Sequence, residues 1–481
     1  MDCYDAASHA DEANAYHHAY QEQEQEEHEH KTTRQQKFES PLSPVLVEIQ
    51  QNFERQRLVE IQVETERQAE AKIADMLPEG WERKRLGQVG RCVRGLVYSP
   101  DNVVDHGLLV LRSSNIQNGF LSFLDNVYVD CTVDDDFLSK KGDILICVRN
   151  GSKKLIGKSA TIKNNHMKST HGAFMTIFRS EQNDFIQHLI KSDIFFKSVS
   201  RDIGATINSI NNGNLLNYLF SFPPLPEQKK IASILSSIDE VIEKTTAQVA
   251  KLNDLKTSLM QELLTRGIGH SEFKDSPVGC IPVEWEVGLL SDFSEINPRL
   301  KQKSNLTKTT KVSFIKMEDV STSAKVINKK TKLYYQVSKG FTSFQNNDVL
   351  VAKITPCFEN GKGGYVENLV NGVGFGSTEF HVIRANKKSY PEFLYHFSTY
   401  PSFRMKAESN MTGTAGQRRV PTDFFRTYQV ALPPLKEQKE IAKILTSVDQ
   451  KITTTNQKLS ALTHTKKALM QDLLTGKKRV I

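Results

Sequence analysis

The sequence contains one stretch twice: residues 223–265 read PPLPEQKKIASILSSIDEVIEKTTAQVAKLNDLKTSLMQELLT, and residues 433–475 read PPLKEQKEIAKILTSVDQKITTTNQKLSALTHTKKALMQDLLT. The copies align without a gap at an offset of 210, and 22 of the 43 positions are identical. Each copy begins with prolines and Glu-Gln and is followed by a glycine, Gly267 or Gly476, which is typical punctuation of a helix. The pattern predicts two long helices, each of about 38 residues and about 57 Å.

Apolar residues within each copy step by three and four positions, which is a heptad pattern. The predicted seam comprises Ile231, Leu235, Ile238, Ile242, Thr245, Leu252, Lys256, Leu259 and Leu263 in the first copy, and Ile441, Leu445, Val448, Ile452, Thr455, Leu462, Lys466, Leu469 and Leu473 in the second. The threonines and lysines interrupt both seams at the same places. Polar residues in a coiled-coil seam cost stability and fix register. The competing interpretation, a helix packed on one core, predicts a wider apolar stripe without shared interruptions.

A second repeated feature precedes each long helix. LPEGWERKRLGQV at residues 77–89 and IPVEWEVGLLSDF at residues 281–293 share a Pro, a Trp, a Glu and a Leu, and KKGDILICVRNG at 140–151 corresponds to QNNDVLVAKITP at 345–356. Short β-rich runs alternate with amphipathic segments at residues 185–199 and 391–407. The fold class predicted is therefore mixed α/β, with two globular units that share a frame and differ inside.

The repeats divide the chain into eight segments. They are a disordered acidic and His-rich tail (1–37), a charged helical extension (38–76), a first globular domain (77–222), a central helix (223–267), a linker (268–280), a second globular domain (281–432), a distal helix (433–476) and a basic tail (477–481). Because the linker is short, the second domain must lie at the far end of the first helix. The second helix then buries its seam by running back antiparallel, which gives a pseudo-twofold tandem repeat with Thr245 close to Thr455.

Charge and cysteine usage limit the possible partners. The net charge is +7, and because residues 1–30 hold nine acidic side chains and no Lys or Arg, the rest of the chain carries +16. A basic body fits a polyanionic partner, although excess charge is also a common solubility device. The six cysteines contain no C-x-x-C pair, so neither a zinc site nor a disulfide framework is indicated. We expect a cytoplasmic protein without membrane segments.

The W-x-x-x-x-L motif, the GD-x-L strand, the PPL-x-EQ-x-x-I-A-x-I-L lead into a long helix and the closing L-M-Q-x-LLT together resemble the specificity subunit of type I restriction-modification systems, over about residues 77–476. Residues 349–384 also resemble one recurring class of target recognition domain. The resemblance implies two target recognition domains held apart by two helices, with no catalytic activity of their own. It implies double-stranded DNA, two methyltransferase subunits and, through these, endonuclease/translocase subunits as partners. S-adenosylmethionine, ATP and Mg²⁺ would be bound by the partner subunits and not by this chain.

Motifs for catalysis are absent or incomplete when they are considered residue by residue. GSKKLIGKS at residues 151–159 has five residues between its first two glycines where a phosphate loop has four, and a strand is predicted after it. Phe222 and Leu432 stand where the N/D-P-P-Y/F motif of amino-methyltransferases requires Asn or Asp. Residues 134–136, three aspartates, are interpreted as a surface turn. The sequence therefore predicts a chain that is not an enzyme by itself.

Loops that carry Arg, Asn, Gln and Lys are the candidates for contact with DNA, because these side chains read base edges or hold phosphates. The candidates in the first domain are Arg112, Ser113, Asn115, Gln117, Arg149, Asn150, Lys153, Lys154, Lys158, Asn208, Asn211 and Asn212; those in the second are Lys353, Thr355, Asn360, Lys362, Ser377, Thr378, Glu379, Gln417, Arg418 and Arg419. Two other functions stay open. A non-catalytic coiled-coil adaptor with domains that do not bind DNA explains the helices but not the basic loops, and a self-contained restriction-methylation enzyme requires a cofactor motif that the sequence lacks.

Overall fold

The computed structural model describes residues 77–163, 168–203, 208–300, 306–414 and 416–480. The predicted tail at 1–37 and the predicted extension at 38–76 lie outside these residues. The described residues fall into two compact units, with boundaries at Asn183/Asp184, Lys197/Ser198 and Gln228/Lys229. Within the described ranges, the helices are too short or too polar to cross a membrane.

The first domain is built from short strands and helices around two four-stranded sheets. Its strands are β1 (Glu82–Arg85), β2 (Arg91–Arg94), β3 (Val103–Val104), β4 (Leu108–Leu111), β5 (Ile116–Gln117), β6 (Phe120–Leu121), β7 (Tyr128–Val129), β8 (Ile144–Cys147), β9 (Ser159–Thr161), β10 (Ser169–His171), β11 (Met175–Arg179) and β12 (Leu219–Phe222), and its helices are α1 (Leu86–Val89), α2 (Asn183–Ile190), α3 (Asp193–Asp202) and α4 (Asn212–Asn217). The sheets have the orders β10-β4-β7-β3 and β2-β11-β8-β9, and β1-β12 and β5-β6 form two-stranded pairs.

The second domain follows the long helix α5 (Leu225–Leu263) and precedes the long helix α11 (Leu435–Leu474). Its strands, with one from the linker, are β13 (Phe273–Lys274), β14 (Ile281–Pro282), β15 (Glu286–Leu289), β16 (Ser294–Ile296), β17 (Lys311–Ile315), β18 (Lys330–Leu333), β19 (Thr342–Gln345), β20 (Asp348–Ala352), β21 (Gly363–Tyr365), β22 (Val373–Gly376), β23 (Phe380–Ala385) and β24 (Gln429–Leu432), and its helices are α6 (Leu290–Phe293), α7 (Tyr334–Val337), α8 (Pro391–Ser398), α9 (Pro401–Ser409) and α10 (Thr422–Thr427). Its sheets have the orders β16-β23-β20-β21 and β18-β17-β22-β19, with β15-β24 and β13-β14 as two-stranded pairs.

The two domains share one sheet order and part of the other, although few of their residues agree. The outer strand of the other sheet differs, because β3 pairs with β7 in the first domain and β19 pairs with β22 in the second. Strand β11 lies between β2 and β8 as β23 lies between β16 and β20, and the parallel pair β4-β10 corresponds to β17-β22. The aligned runs of the sequence analysis, around residues 143 and 348, are the central strands β8 and β20, whose residues are all buried. The predicted mixed α/β class is confirmed.

An arginine–aspartate pair ties the central strands together in each domain; it is buried in the second domain, and in the first the aspartate is buried and the arginine partly buried. Arg179 donates from Nε and Nη2 to Asp143 at 2.8 and 2.7 Å, and Arg384 donates in the same way to Asp348 at 2.8 Å for both bonds. The two aspartates lie 205 positions apart in the sequence, and so do the two arginines. Removing one partner of a buried pair costs about 3–5 kcal/mol, so this fork holds the frame that positions the loops.

The first and last strands of each domain lie side by side. Strand β1 pairs with β12, and β15 pairs with β24. The Trp before each first strand therefore reaches the first turn of the long helix after each last strand: Trp81 Nε1 donates to Glu227 at 3.2 Å, and Trp285 Nε1 donates to Glu437 at 3.0 Å. In each domain, the Trp motif thus supplies the donor of this hydrogen bond, and the Glu-Gln start of the long helix supplies the acceptor.

The two repeated stretches form single long helices, as predicted. Each ends before a glycine with a left-handed backbone, Gly267 and Gly476, both at φ +71°, a conformation that glycine adopts without steric cost. The predicted seam is buried at its ends and half-buried in its middle, where only Thr245 and Thr455 are buried. Each threonine hydroxyl donates to the carbonyl four residues back in its own helix, at 2.7 Å. Their predicted proximity stays a prediction.

Two reciprocal ion pairs fix how the helices run. Lys256 Nζ lies 2.7 Å from Asp449 Oδ1, and Lys466 Nζ lies 2.5 Å from Asp239 Oδ1. A late residue of each helix thus meets an early residue of the other, so the helices are antiparallel. The lysines that interrupt the predicted seam are the residues that select its register.

A neutral histidine lies beside each aspartate. His188 of α2 is buried, with Nε2 3.0 Å from Ser236 Oγ and Nδ1 3.7 Å from Asp239. His396 of α8 has Nε2 2.9 Å from Thr446 Oγ1. Helices α2 and α8 therefore occupy equivalent places against α5 and α11. Residues 184–197, which the sequence analysis included in the first domain, belong to the same compact unit as the long helices.

We expect Lys256→Asp to lower the stability of the helix pair, because it places two carboxylates together where they are largely shielded from water. The loss should be about 3 kcal/mol, and the double variant K256D/D449K should recover most of it. Thermal and urea unfolding of the purified chain would measure both. Lys251→Asp, at an exposed position of the same helix, is the matched control. A double variant no more stable than K256D would contradict the antiparallel register.

Stability should also fall in mild acid. Burial lowers the pKa of His188 to about 3 and that of His396 to about 4, below the ordinary value of about 6.5. The unfolded chain therefore binds protons below about pH 6.5 that the folded chain does not. The contribution of each neutral histidine is complete above about pH 6.5 and is lost as the pH falls toward 4, at about 1.4 kcal/mol per pH unit for each group. Urea unfolding of H188N/H396N between pH 7 and 5 should give a shallower slope than wild type, whereas exposed His464→Asn should not; equal slopes would contradict the assignment.

Candidate nucleic-acid interface

The candidates of the first domain lie in three loops, residues 112–117, 149–158 and 208–212, and these loops meet at one place. Arg149 and Ser209 form a bridge between the second and third loops, and Asn208 Nδ2 donates to Gly151 O at 3.0 Å. Asn150 Nδ2 donates to Ser113 Oγ at 3.2 Å and so joins the first loop to the second. Residues far apart in the chain are thereby gathered on one surface.

The first two of these loops line an open cleft of about 1040 Å³, together with residues from the ranges 96–103 and 172–175. Its cationic lining comes from Arg112, Arg149 and Lys158, and its polar lining includes Gln117 and Asn150. Apolar side chains exposed to solvent complete it: Val97, Val103 and Phe174 are 81%, 46% and 59% exposed. Cations for phosphates, amides for base edges and apolar groups for methyls are the chemistry of a DNA-reading surface.

Some candidates have roles inside the domain instead. Asn115 is fully buried; its Oδ1 accepts from Arg112 N at 2.9 Å, and its Nδ2 donates to Ser122 O at 3.0 Å. A base edge cannot reach it, so its selection as a DNA contact is corrected. Asn211 caps α4 by accepting from Asn214 N at 2.7 Å, and Asn212 begins that helix.

The second domain gathers its three candidate loops, residues 353–362, 377–379 and 417–419, in the same way. Ile354 bridges to Arg419, Thr355 N donates to Arg418 O at 2.9 Å, and Lys353 N donates to Glu379 O at 2.9 Å. The exposed candidates of this surface are Asn360, Thr378, Gln417 and Arg419, and the half-exposed candidates include Ser377.

Several charges of this second surface are paired within the domain. Arg419 forks onto Glu379, with Nε–Oε2 at 3.1 Å and Nη2–Oε1 at 3.0 Å. Arg418 Nη2 donates to Glu359 Oε1 at 3.2 Å, and Lys362 Nζ donates to Met317 O at 2.9 Å. Lys362 therefore holds a loop in place, whereas the forked Arg419 lies at the exposed edge.

The segments considered for catalysis have other structures. After residues 151–159, whose Lys153 and Lys154 lie in an exposed 3₁₀ turn, the chain enters strand β9, as predicted. Phe222 ends β12, and two residues separate it from the start of the long helix α5; residues 134–136 lie in an exposed turn. In the described ranges, His, Cys, Asp and Glu side chains form no cluster of three or more that could hold a metal ion.

Comparison with known families matches both halves of this doubled architecture to the same family. Residues 78–253 and 282–464 match the family described as type I restriction modification DNA specificity domain. The chain belongs to this family. Each match begins beside the Trp motif, covers one globular specificity domain and continues into the long helix that follows, so the sequence repeat and the family repeat coincide.

Relatives of this specificity protein match it to different extents. It is 27% identical to the putative type I restriction enzyme MjaX specificity subunit of Methanocaldococcus jannaschii, over 84% of this chain and 95% of that protein. It is 40% identical to the type I restriction enzyme EcoAI specificity subunit of Escherichia coli, but over 34% of this chain and only 27% of that protein. The crystal structure of the type I restriction-modification system S subunit from M. genitalium has the same fold, with a TM-score of 0.54 at 14% identity over 82% of this chain and 96% of that chain.

Sequence reasoning missed the apolar part of the first specificity domain's cleft. Val97 and Phe174 were not candidates, because an isolated apolar residue in a sequence is usually buried. A signal was present for Phe174, which follows His-Gly-Ala in a loop before a strand. The paired role of Trp81 and Glu227 was also missed, because 146 residues separate them.

The internal role of Asn115 predicts the effect of its removal. Asn115→Ala should destabilise the first specificity domain by about 1–3 kcal/mol, because it leaves buried backbone groups without partners. Gln117→Ala is the matched control, since the Gln117 side chain is exposed and donates only to Ser114 O at 2.9 Å. Hydrogen exchange at residues 112–122, together with urea unfolding, would measure both; equal exchange in the two variants would contradict the assignment.

Proposed function

We propose that this chain is the DNA-reading subunit of a type I restriction-modification complex and that it recognises a site in two parts. The observation that carries the proposal is that each specificity domain gathers three separate loops, rich in Arg, Lys, Asn and Gln, onto one surface. One such surface could arise as ordinary loop packing. The same gathering on the same frame twice, with different side chains, is what two readers of different sequences require.

Charge supports double-stranded DNA as the ligand. The chain beyond its first 30 residues carries +16, and the cleft of the first domain contains cations beside amides and apolar groups. Cationic side chains that replace counterions on phosphates make affinity fall steeply with salt, whereas base contacts give specificity. Binding by the assembled complex should therefore be both salt-dependent and sequence-specific.

The long helix α5 supports a site in two parts. It joins the two specificity domains through 39 residues, which corresponds to about 58 Å at 1.5 Å per residue. Two readers joined by a stiff helix can specify two short sequences and leave the bases between them unspecified. The helix pair, fixed by reciprocal ion pairs, would act as the spacer.

The internal repeat supports two copies of one partner. Leu225 and Leu435 occupy the same place in the first turns of α5 and α11 and are 56% and 42% exposed. An exposed leucine at the same place on two equivalent helices fits contact with two copies of one partner. We propose that these partners are methyltransferase subunits, which recruit endonuclease/translocase subunits. S-adenosylmethionine, ATP and Mg²⁺ would then be bound by the partners, and this chain would catalyse neither cleavage nor methylation.

Replacing residues 283–431 with the corresponding part of another specificity subunit should change one half of the recognised site and leave the other half unchanged. The reason is that each domain closes on itself through its first and last strands. Sequencing that detects methylated adenine in DNA from cells producing the chain with its methyltransferase would measure both sites.

The wild-type chain with the same methyltransferase is the reference, and cells with the methyltransferase alone provide the background. A swap that alters both halves would contradict independent reading by the two domains. Absence of any site above background, with the complex shown to assemble, would favour a coiled-coil adaptor.

A further inference from the structure

Strand register identifies equivalent positions at the two reading surfaces. Phe174 O accepts from Val148 N and Arg149 N at 3.1 and 3.0 Å, and Glu379 O accepts from Lys353 N at 2.9 Å. Each acceptor lies just before the strand that carries the buried arginine, β11 or β23. Phe174 and Glu379 are therefore the same position in the two domains, at the offset of 205 that also relates Val148 to Lys353.

A bridge beside this position presents one arginine in each domain. In the first domain the bridge joins Arg149 to Ser209, and in the second it joins Ile354 to Arg419. The arginine comes from the earlier of the two bridged loops in the first domain and from the later one in the second. In both domains it packs against the side chain of the shared position: Arg149 Cζ lies 5.7 Å from the centre of the Phe174 ring, and Arg419 forks onto Glu379.

The contacts of Arg419 within the domain leave two of its N–H groups available to donate to a guanine. Its guanidinium has five N–H groups. Nε and Nη2 each direct one to Glu379, and Nη1 directs one to Gln417 O at 3.2 Å. Among the described residues, one N–H of Nη1 and one of Nη2 have no acceptor, and two such donors match the O6 and N7 acceptors of guanine in the major groove. Both Glu379 oxygens are engaged by Arg419, so this carboxylate orients the arginine.

In the first domain, the ring of Phe174 takes the place of the carboxylate and orients Arg149. An aromatic ring engages the flat face of a guanidinium, and the N–H groups point outward from its edge. Arg149 is exposed at the cleft, so a base can approach that edge. Two neighbouring arginines are less exposed than Arg149 and Arg419. They are Arg112, which pairs with Asp125 at 3.0 Å, and Arg418, which pairs with Glu359 at 3.2 Å.

We infer that Arg149 and Arg419 are the specificity-determining residues of the two domains, that each reads a guanine in its own half of the site, and that Phe174 and Glu379 position them. This inference rests on the proposed function and adds to it a base and a residue for each half. It also explains why the shared position differs between the domains, because a ring and a carboxylate orient a guanidinium differently.

The test replaces each arginine by lysine, which keeps the charge for phosphates but cannot make two parallel hydrogen bonds. The complex with methyltransferase subunits is used to select from DNA libraries in which every position of one half-site is randomised. R419K should lower the preference for guanine at one position of the second half by about 5- to 150-fold and leave the first half unchanged. R149K should do the same in the first half alone.

Glu379→Gln separates positioning from charge. It should weaken the same guanine preference as R419K without changing the slope of affinity against salt, because Glu379 is not expected to touch phosphate. Phe174→Leu, which keeps an apolar side chain but removes the ring, should weaken the preference that R149K weakens. Arg426→Lys is the matched control, because Arg426 is outside the candidate loops and forms an exposed pair with Asp423 at 3.2 Å within helix α10.

The outcomes separate this inference from the proposed function. Unchanged preferences in R419K and R149K, with a selective wild-type complex, would overturn the inference and leave the function in place. A change in R418K in place of R419K would also overturn it. A wild-type complex without any preferred sequence would overturn both. R419Q and R149Q, measured alongside and checked for cooperative unfolding, keep the test decisive if a lysine variant does not fold.

Discussion

The reciprocal ion pairs Lys256–Asp449 and Lys466–Asp239 are the constraint on which the helix pair depends. All four side chains are 13–19% exposed, so an unpaired charge at any of them is costly. The apolar contacts between the helices are half-buried over much of their length and would tolerate other registers. Only the antiparallel register satisfies both pairs together. The main effect of these pairs is therefore to select the antiparallel register, and their contribution to net stability is smaller. Polar groups inside coiled coils fix register in the same way.

Each specificity domain is attached to this pair by its own closing strands. Because β1 pairs with β12 and β15 pairs with β24, the two ends of a domain leave it together at the start of a long helix. The Trp–Glu hydrogen bonds fasten this junction. In the second domain, Glu437 also accepts from Ile268 N at 2.9 Å and from His270 Nε2 at 2.8 Å, so the linker is held at the same carboxylate. A domain closed in this way can be exchanged without changing the path of the helices.

Inside the domains, the frame and the reading surface obey different requirements. The forks Arg179–Asp143 and Arg384–Asp348 join the same donor and acceptor atoms, and a change at either buried aspartate would leave its arginine without a partner. The loops at the bridge are exposed, so their residues can vary at little cost to stability. This explains how Phe174 and Glu379 can occupy one position of one fold. The shared frame keeps that position fixed, and its side chain differs between the two domains.

The sequence by itself determined the repeat, the long helices, the mixed α/β class and the loops that carry polar readers. Heptad spacing, helix punctuation and alternating strands are visible within short windows. The repeat is visible once two stretches 210 residues apart are aligned. The lysines in the seam were also visible, but their partners were not, because Lys256 and Asp449 meet only when the chain has folded back on itself. The same reason hid the Trp81–Glu227 bond and the exposed apolar groups of the first cleft.

Tertiary structure alone decided which loop residues face outward. Asn115 and Gln117 are two positions apart and equally polar, yet Asn115 is buried with a full set of hydrogen bonds and Gln117 is exposed. It also decided that Arg419 is oriented by Glu379 and that Arg418 is held by Glu359. Periodicity cannot make such choices, because loops have none. They depend on pairings across 40 and 59 residues, which form only when the sheets bring the loops together.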